Sequence, residues 1–346
     1  MVGRGVPDTL LPWGLSVLGV DEASGELMSV AGDASSRRYF RFAHGSMSYV
    51  LAEAPPSSEN NEAFVRVRAL LAGAGVRVPD LLGVDYQRGY LLLEDLGDRL
   101  LLPALTPEAA AGCYHRAFDL LLHLNAAGLE GSGLGAYDCT LLEEELSRFP
   151  EWFAEGLLGC RLDKTESDLM ESLNQKLIAS ALEQPTVLVH RDFHSRNLML
   201  LSGDELALID FQDAVIGPVT YDLVSLLRAC YIQWSPAQVE AWALAYRERL
   251  LARGQLSGVS EETFLRWFDW MGLQRHLKVL GTFARLSLRD GKAGYLADLP
   301  LVMDYVLQIL DRYAPEVDVF ATFARWFRQS LLPLAQAQAQ DWGHSA

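Results

Sequence analysis

Residues 187–213 read V-L-V-H-R-D-F-H-S-R-N-L-M-L-L-S-G-D-E-L-A-L-I-D-F-Q-D. Short apolar runs bracket a few polar points. Residues 187–189, 198–201 and 206–209 each read as a buried strand. Ser202, Gly203 and Asp204 supply the turn of a hairpin between the last two. The loop before that hairpin carries Asp192 and Asn197, and the second hairpin strand runs out at Asp210. A hairpin of this length brings Asn197 and Asp210 to the same end.

These residue types suit phosphoryl transfer. A transferred phosphoryl group needs little covalent help, so catalysis there is mostly positioning and charge neutralisation. Asp192 is the candidate carboxylate to orient the attacking hydroxyl and take its proton. Mg²⁺ prefers one or two protein oxygen ligands beside phosphates and water, and Asn197 and Asp210 offer such oxygens. The spacing H-R-D-x-x-x-x-N followed by D-F-x is the kinase catalytic-loop pattern, with Gln212 where protein kinases place Gly.

H-R-D-F-H-S-R-N together with I-D-F-Q-D-A-V-I-G-P-V-T-Y-D-L resembles the aminoglycoside phosphotransferase and choline kinase superfamily, small-molecule kinases with a protein-kinase-like fold. Four more stretches narrow the resemblance: G-D-A-S-S-R-R-Y-F-R from Gly32, L-A-E-A-P-P from Leu51, Y-L-L-L-E-D-L-G-D from Tyr90 and Q-R-H-L-K-V-L-G-T-F-A-R-L from Gln274. They are similar to bacterial anomeric N-acetylmuramate/N-acetylglucosamine kinases. The likeness spans roughly residues 33–328. It implies ATP and Mg²⁺ as cofactors and a two-lobed α+β fold, with a small β-rich N-lobe and a larger, mostly helical C-lobe. It also implies that Asp222 and His190 support the catalytic loop. Arg191 and His194 become candidates for contact with phosphate or substrate. The chain departs from the kinase pattern at one point: no Lys occurs before Lys164, so the lysine that holds the α- and β-phosphates in kinases is missing.

Composition sets outer bounds. A chain of 346 residues fits one large domain or two lobes. A net charge of −16 argues against nucleic acid or an anionic membrane as partner. No apolar run of membrane-spanning length is expected, nor a signal peptide in M-V-G-R-G-V-P-D. The four cysteines lack metal-ligand spacing, which fits reduced thiols in a cytoplasmic protein. No obligate protein partner is evident.

The first lobe is expected over residues 1–95. Strands at 27–30 and 39–42 flank a polar turn, whose Ser35 and Ser36 could approach phosphates through their backbone. Arg37, Arg38 and Arg41 are the candidates to replace the missing lysine, since an Arg can grip phosphate bidentately. A solvated edge-strand role is the alternative. A strand at 48–54 and a helix at 59–71 follow. Glu62 on that helix could pair with one of these arginines, or could simply favour the helix start. Strands at 81–85 and 90–93 lead to E-D-L-G-D. By resemblance this is the inter-lobe hinge, where adenine meets the backbone of Glu94 and Leu96.

The second lobe is expected over residues 96–336, with a frayed tail at 337–346. Helices are predicted from Thr106, and over 141–149, 236–253, 261–288, 300–312 and from Pro315 to about 332. Gly217 and Pro218 read as a turn. The aromatic run F-P-E-W-F at 149–153 could line a sugar site, although aromatics fill cores first. Arg275 and Lys278 are three apart on one helix face. They either meet an anionic group such as the lactyl carboxylate of N-acetylmuramate, or pair with nearby acids. The reading is an ATP-dependent amino sugar kinase acting on an anomeric hydroxyl. The alternatives are a kinase of another small molecule and an inactive nucleotide-binding scaffold.

Overall fold

The computed structural model describes residues 5–30 and 37–342, so Ser35 and Ser36 lie outside the described residues. In chain order the elements are α1 (Leu10–Leu18), β1 (Met28–Val30), β2 (Arg38–His44), β3 (Met47–Glu53), α2 (Asn61–Gly73), β4 (Leu81–Asp85), β5 (Tyr90–Glu94), α3 (Ala110–Asn125), α4 (Cys139–Arg148), α5 (Lys164–Leu182), β6 (Thr186–Val189), β7 (Leu198–Leu200), β8 (Leu206–Leu208), β9 (Val215–Pro218), α6 (Tyr221–Leu227), α7 (Pro236–Ala252), α8 (Glu261–Asp290), α9 (Leu299–Tyr313), α10 (Asp318–Trp326) and α11 (Leu332–Trp342). They form two compact units: residues 1–133 with 195–214, and residues 134–194 with 215–346.

The first unit is built on an antiparallel sheet in the order β1-β2-β3-β5-β4. Alternation along β2 sends Phe40 and Phe42 inward, where they join Leu51, Tyr90, Leu92 and Leu10 of α1. α2 starts where the Asn60 side chain accepts the Ala63 N–H, an N-cap that satisfies an otherwise orphaned donor. The β7–β8 hairpin belongs to this unit because the chain at 99–101 pairs along it: Leu101 N–H donates to Leu198 O (2.8 Å) and Leu200 N–H to Arg99 O (2.7 Å). On the hairpin's other side, Leu208 N–H donates to Arg77 O at 2.8 Å.

The second unit is helical around α8, which buries residues on all sides along much of its length. Gly217 and Pro218, expected as a turn, are the last residues of β9. Their partners in β6 are Val187 and Thr186. Proline is tolerated there because it ends the strand. Glycine is required because a Cβ at 217 would stand 2.8 Å from Tyr137 Cβ. α4 does not stop near 149 but runs into a π-helical stretch, Phe149–Leu157. Phe149 and Phe153 there are buried with Phe323 and Phe327, so these aromatics are core.

One further expectation is corrected, over the residues the structure describes. The C-terminal segment does not fray at 337: α11 continues to Trp342, whose side chain is 5% exposed and anchors the end. Ala293–Tyr313 is long and apolar enough to cross a membrane by length and composition, with a mean hydropathy of 1.2. It comprises a 3-10 stretch and α9, and α9 buries Val302, Met303, Val306 and Leu310 inside the protein, as an amphipathic core helix does.

Candidate active site

In the first unit the hairpin register pairs Leu198 with Leu208, and Ile209 N–H donates to Asn197 O at 3.1 Å. The open end of the hairpin therefore carries Asn197 and, one residue beyond Ile209, Asp210. Asp210 has φ 63°, a left-handed conformation that side chains other than glycine adopt at a cost. Gln212 Nε2 donates to its Oδ1 at 2.9 Å. The next residue, Phe211, is buried and meets Phe64 of α2 at a centroid distance of 4.9 Å.

Arg37 completes this corner. Its guanidinium stands 4.8 Å from the centre of the Phe64 ring, and its Nη2 lies 3.4 Å from Glu59. Its side chain is 1% exposed. Tyr39 shares the environment: burial raises its phenol pKa, Arg37 pulls it down, and the carboxylates of Asp210 and Glu59 add to the rise. The arginine's acid is thus Glu59, ahead of α2, rather than Glu62 within it. The other two arginines are held elsewhere. Arg38 donates to Glu53 (Nε, 2.6 Å) and to Gly5 O (3.0 Å). Arg41 grips Asp95 (2.7 Å) and Asp98 (2.9 Å). The Glu94 carboxylate pairs with Arg77, which leaves its backbone as the part able to read a base. Leu96 follows in the same segment.

In the second unit Asp222, in the first turn of α6, accepts the backbone N–H groups of His190 (2.6 Å) and Arg191 (3.0 Å). Burial pushes its carboxyl pKa up to about 7, against the pull of those two donors. Arg191 has φ 76°, so the loop is pinned where its backbone is strained. His190 Nδ1 lies 3.2 Å from the Asp192 N–H, a scaffold position. Asp192 is open to solvent. The protein around its carboxylate would raise its pKa, but the charges of Lys278 and Arg275 bring it below the ordinary value. His194 donates its N–H to Asp192 O at 2.9 Å. Burial lowers its imidazole pKa to about 4, so the ring is neutral at pH 7, and it stands edge-on to Tyr231.

Arg275 and Lys278 of α8 divide. Arg275 is 5% exposed and its Nη1 has no hydrogen-bond partner among the described residues. Lys278 is committed: its Nζ lies 2.8 Å from Glu145 and 3.0 Å from the Tyr221 hydroxyl. Pairing with an acid was one of the two readings of this face, and for Lys278 it holds. Glu145 had no assigned role in the sequence. It lies 46 residues from Arg191, among 45 acidic residues, and no spacing marks it.

For a divalent cation, the amide oxygen of Asn197 and the carboxylate of Asp210 are hard donors of the kind Mg²⁺ takes. Among the described residues no cluster of three or more His, Cys, Asp or Glu could hold a metal. That fits a metal carried largely by phosphates and water rather than by a protein cage.

The phosphotransferase enzyme family model matches residues 26–257. An N-acetylmuramate/N-acetylglucosamine kinase of Pseudomonas putida is 42% identical over 289 residues, covering 84% of this chain and 85% of that protein. Among solved structures, choline kinase LicA from Streptococcus pneumoniae superposes with a TM-score of 0.61 at 15% identity, over 87% of this chain and 99% of that one. A thermostable mutant of aminoglycoside phosphotransferase APH(4)-Ia, in ternary complex with AMP-PNP and hygromycin B, gives a TM-score of 0.57 at 19% identity, over 86% and 96%. At these identities the solved structures speak for the α+β kinase-like fold alone, while the sequence matches speak for descent. The chain belongs to the phosphotransferase enzyme family.

Proposed function

We propose that this protein is an ATP-dependent amino sugar kinase that phosphorylates the anomeric hydroxyl of N-acetylmuramate or N-acetylglucosamine, giving the α-1-phosphate. The observation that carries the acceptor class is the 42% identity, across most of both chains, to a kinase named for those two sugars. The loop geometry supports the chemistry, because Asp222 fixes the backbone ahead of Asp192 while Asp192 stays open to solvent.

In this reading the Asp192 carboxylate orients the acceptor hydroxyl and accepts its proton. The hydroxyl oxygen bonds to the γ-phosphorus, the bond from that phosphorus to the β–γ bridging oxygen breaks, and ADP leaves. Asn197 and Asp210 would hold Mg²⁺, which when bound would neutralise charge on the phosphate oxygens. Arg37 supplies the cation that kinases take from lysine, since its guanidinium lies on the corner that carries Asp210, packed on Phe64. Residues 1–95 serve the nucleotide, with adenine at the backbone of Glu94 and Leu96, and residues 96–336 serve acceptor and catalysis. Arg191, His194, Arg275 and Lys278 surround the acceptor side of Asp192. In this reading the protein works in the cytoplasm, where ATP is supplied, and its four cysteines are free thiols.

The test is an ATP-consumption assay over N-acetylmuramate, N-acetylglucosamine, choline and an aminoglycoside. Turnover with the two amino sugars is expected, giving a product whose phosphate is released by mild acid, as glycosyl phosphates are. ATP consumption with choline or the aminoglycoside alone would overturn the acceptor. An acid-stable sugar phosphate would overturn the anomeric position.

A further inference from the structure

Glu145 is the most enclosed carboxylate near the catalytic loop, 0% exposed, and it carries more partners than a packing role needs. Arg191 Nη2 donates to its Oε1 at 2.6 Å and Lys278 Nζ stands 2.8 Å from the same oxygen. Its Oε2 receives the Tyr137 hydroxyl and, at 3.4 Å, Gln274 Nε2. One buried anion from α4 thus gathers the side chain of the residue next to Asp192 and an ammonium from α8.

A buried charge is costly unless it is paired and its remaining valences are filled. Glu145 meets that condition with two cations and two neutral donors. The cations gain as well. Arg191 sits at φ 76° and is fastened twice, through its N–H to Asp222 and through its guanidinium to Glu145. Lys278 touches Glu145, and its charge also acts on Asp192. A long, flexible ammonium in that place would close onto Asp192 if nothing held it, and a base locked in a salt bridge cannot take a proton from a hydroxyl.

We infer that Glu145 is a positioning residue for the transfer: it holds Lys278 off the Asp192 carboxylate and fixes Arg191, and so keeps the acceptor's base accessible. The inference rests on the kinase reading, with Asp192 as the base. It separates Arg275 and Lys278 of α8, since Lys278 serves the scaffold through Glu145 while Arg275 keeps an N–H without a hydrogen-bond partner among the described residues to offer an acceptor.

The test uses the full chain with ATP and whichever amino sugar the wild type turns over. Glu145→Gln is nearly isosteric, so packing alone predicts wild-type turnover. The expected result is a kcat lower by about 10- to 100-fold, with KM for ATP within about threefold of wild type. Adding Lys278→Met removes the cation that would close onto Asp192, and should restore kcat by about tenfold or more. A kcat within about twofold of wild type for Glu145→Gln, or a double variant no faster than the single, overturns the inference. If Glu145→Gln does not fold, Glu145→Asp keeps the charge but shortens the reach. A loss of about three- to tenfold relieved by Lys278→Met supports the inference, and an unrelieved loss overturns it. Wild-type protein that phosphorylates neither sugar overturns the kinase reading instead, so the two failures are distinguishable.

Discussion

In the proposed mechanism Asp192 and Arg37 meet the reaction's two charge problems, one at each substrate. Asp192 is held ionised by neighbouring cations while open to solvent. Asp192→Asn should therefore lower kcat by about 10²–10⁴-fold while nucleotide affinity, measured directly by titration, stays within about threefold; near-normal turnover would remove its role. Arg37 is buried against Phe64 and Glu59 on the corner that holds Asp210. Arg37→Met should raise KM for ATP by about tenfold or more with little change in the sugar's KM, because it removes a charge-assisted contact made to the nucleotide. The reverse split would move the phosphate contact away from Arg37. The three non-glycine residues with positive φ among the described residues, Arg191, Asp204 and Asp210, all fall within residues 187–213, Asp204 in the hairpin turn and the other two beside the candidate site residues. The strain is concentrated where the chemistry needs fixed geometry.

α8 is the element on which the second unit is assembled, and its placement depends on one close approach. A Cβ at Gly281 would lie 2.2 Å from the Arg148 carbonyl oxygen and 2.7 Å from the Phe149 backbone nitrogen, where α4 passes into its π-helical continuation. Backbone cannot swing aside as a side chain can. Gly281→Ala should then cost about 2–3 kcal/mol in chemical denaturation, the range for overpacked cores. It should also lower activity in step with the displacement of Gln274 and Lys278 on the same helix. Retained stability would mean that α8 can shift without penalty. α7 offers a milder check. Ser235 caps it with a reciprocal pair to Gln238, and Ser235→Ala should cost about 1 kcal/mol in the same measurement with kcat unchanged.

Stability against pH gathers several buried groups into one curve. Burial lowers His194 to about 4 and His276 to about 3, both below the ordinary 6.5. Each favours the folded state when neutral, so the stability it gives is complete above pH 6.5 and is lost as the pH falls. Asp222 works the other way. With its pKa raised by burial to about 7 from 3.8, its protonated form is favoured in the folded state, and its contribution grows as the pH falls from 7 towards 4. Between pH 6.5 and 4.5 two losses meet one gain, leaving a net fall of about 1.4 kcal/mol per pH unit. Below 4.5 Glu145 adds to the fall: burial would raise its pKa, but Lys278 and Arg191 hold it at about 2. His276 stacks on Tyr305 at 4.8 Å, and His276→Phe keeps a ring there while deleting one titration. The wild-type Tm should drop steadily from pH 6.5 to 4.5 and the variant's should stay nearly level. Parallel curves would remove His276 from this balance.

Much of this protein could be read before any coordinates. Strand alternation in Y-F-R-F and V-L-V, the hairpin turn S-G-D and the spacing from His190 to Asn197 depend on neighbours within a few residues, where backbone period and turn chemistry decide. The kinase-like fold and the family came from the resemblance of the motifs set in those patterns to known kinases. Contacts between distant segments were not legible. Glu59 rather than Glu62 meets Arg37, two of the three candidate arginines are consumed by Glu53, Asp95 and Asp98, and Glu145 reaches Arg191 and Lys278 from 46 and 133 residues away along the chain. Gly217 and Pro218 looked like a turn until β6 was seen opposite them. Side-chain type tells what a residue can bind. Which partner it meets is settled by how helices and strands far apart in the chain pack, because charge pairing is short-ranged in space and indifferent to distance along the chain.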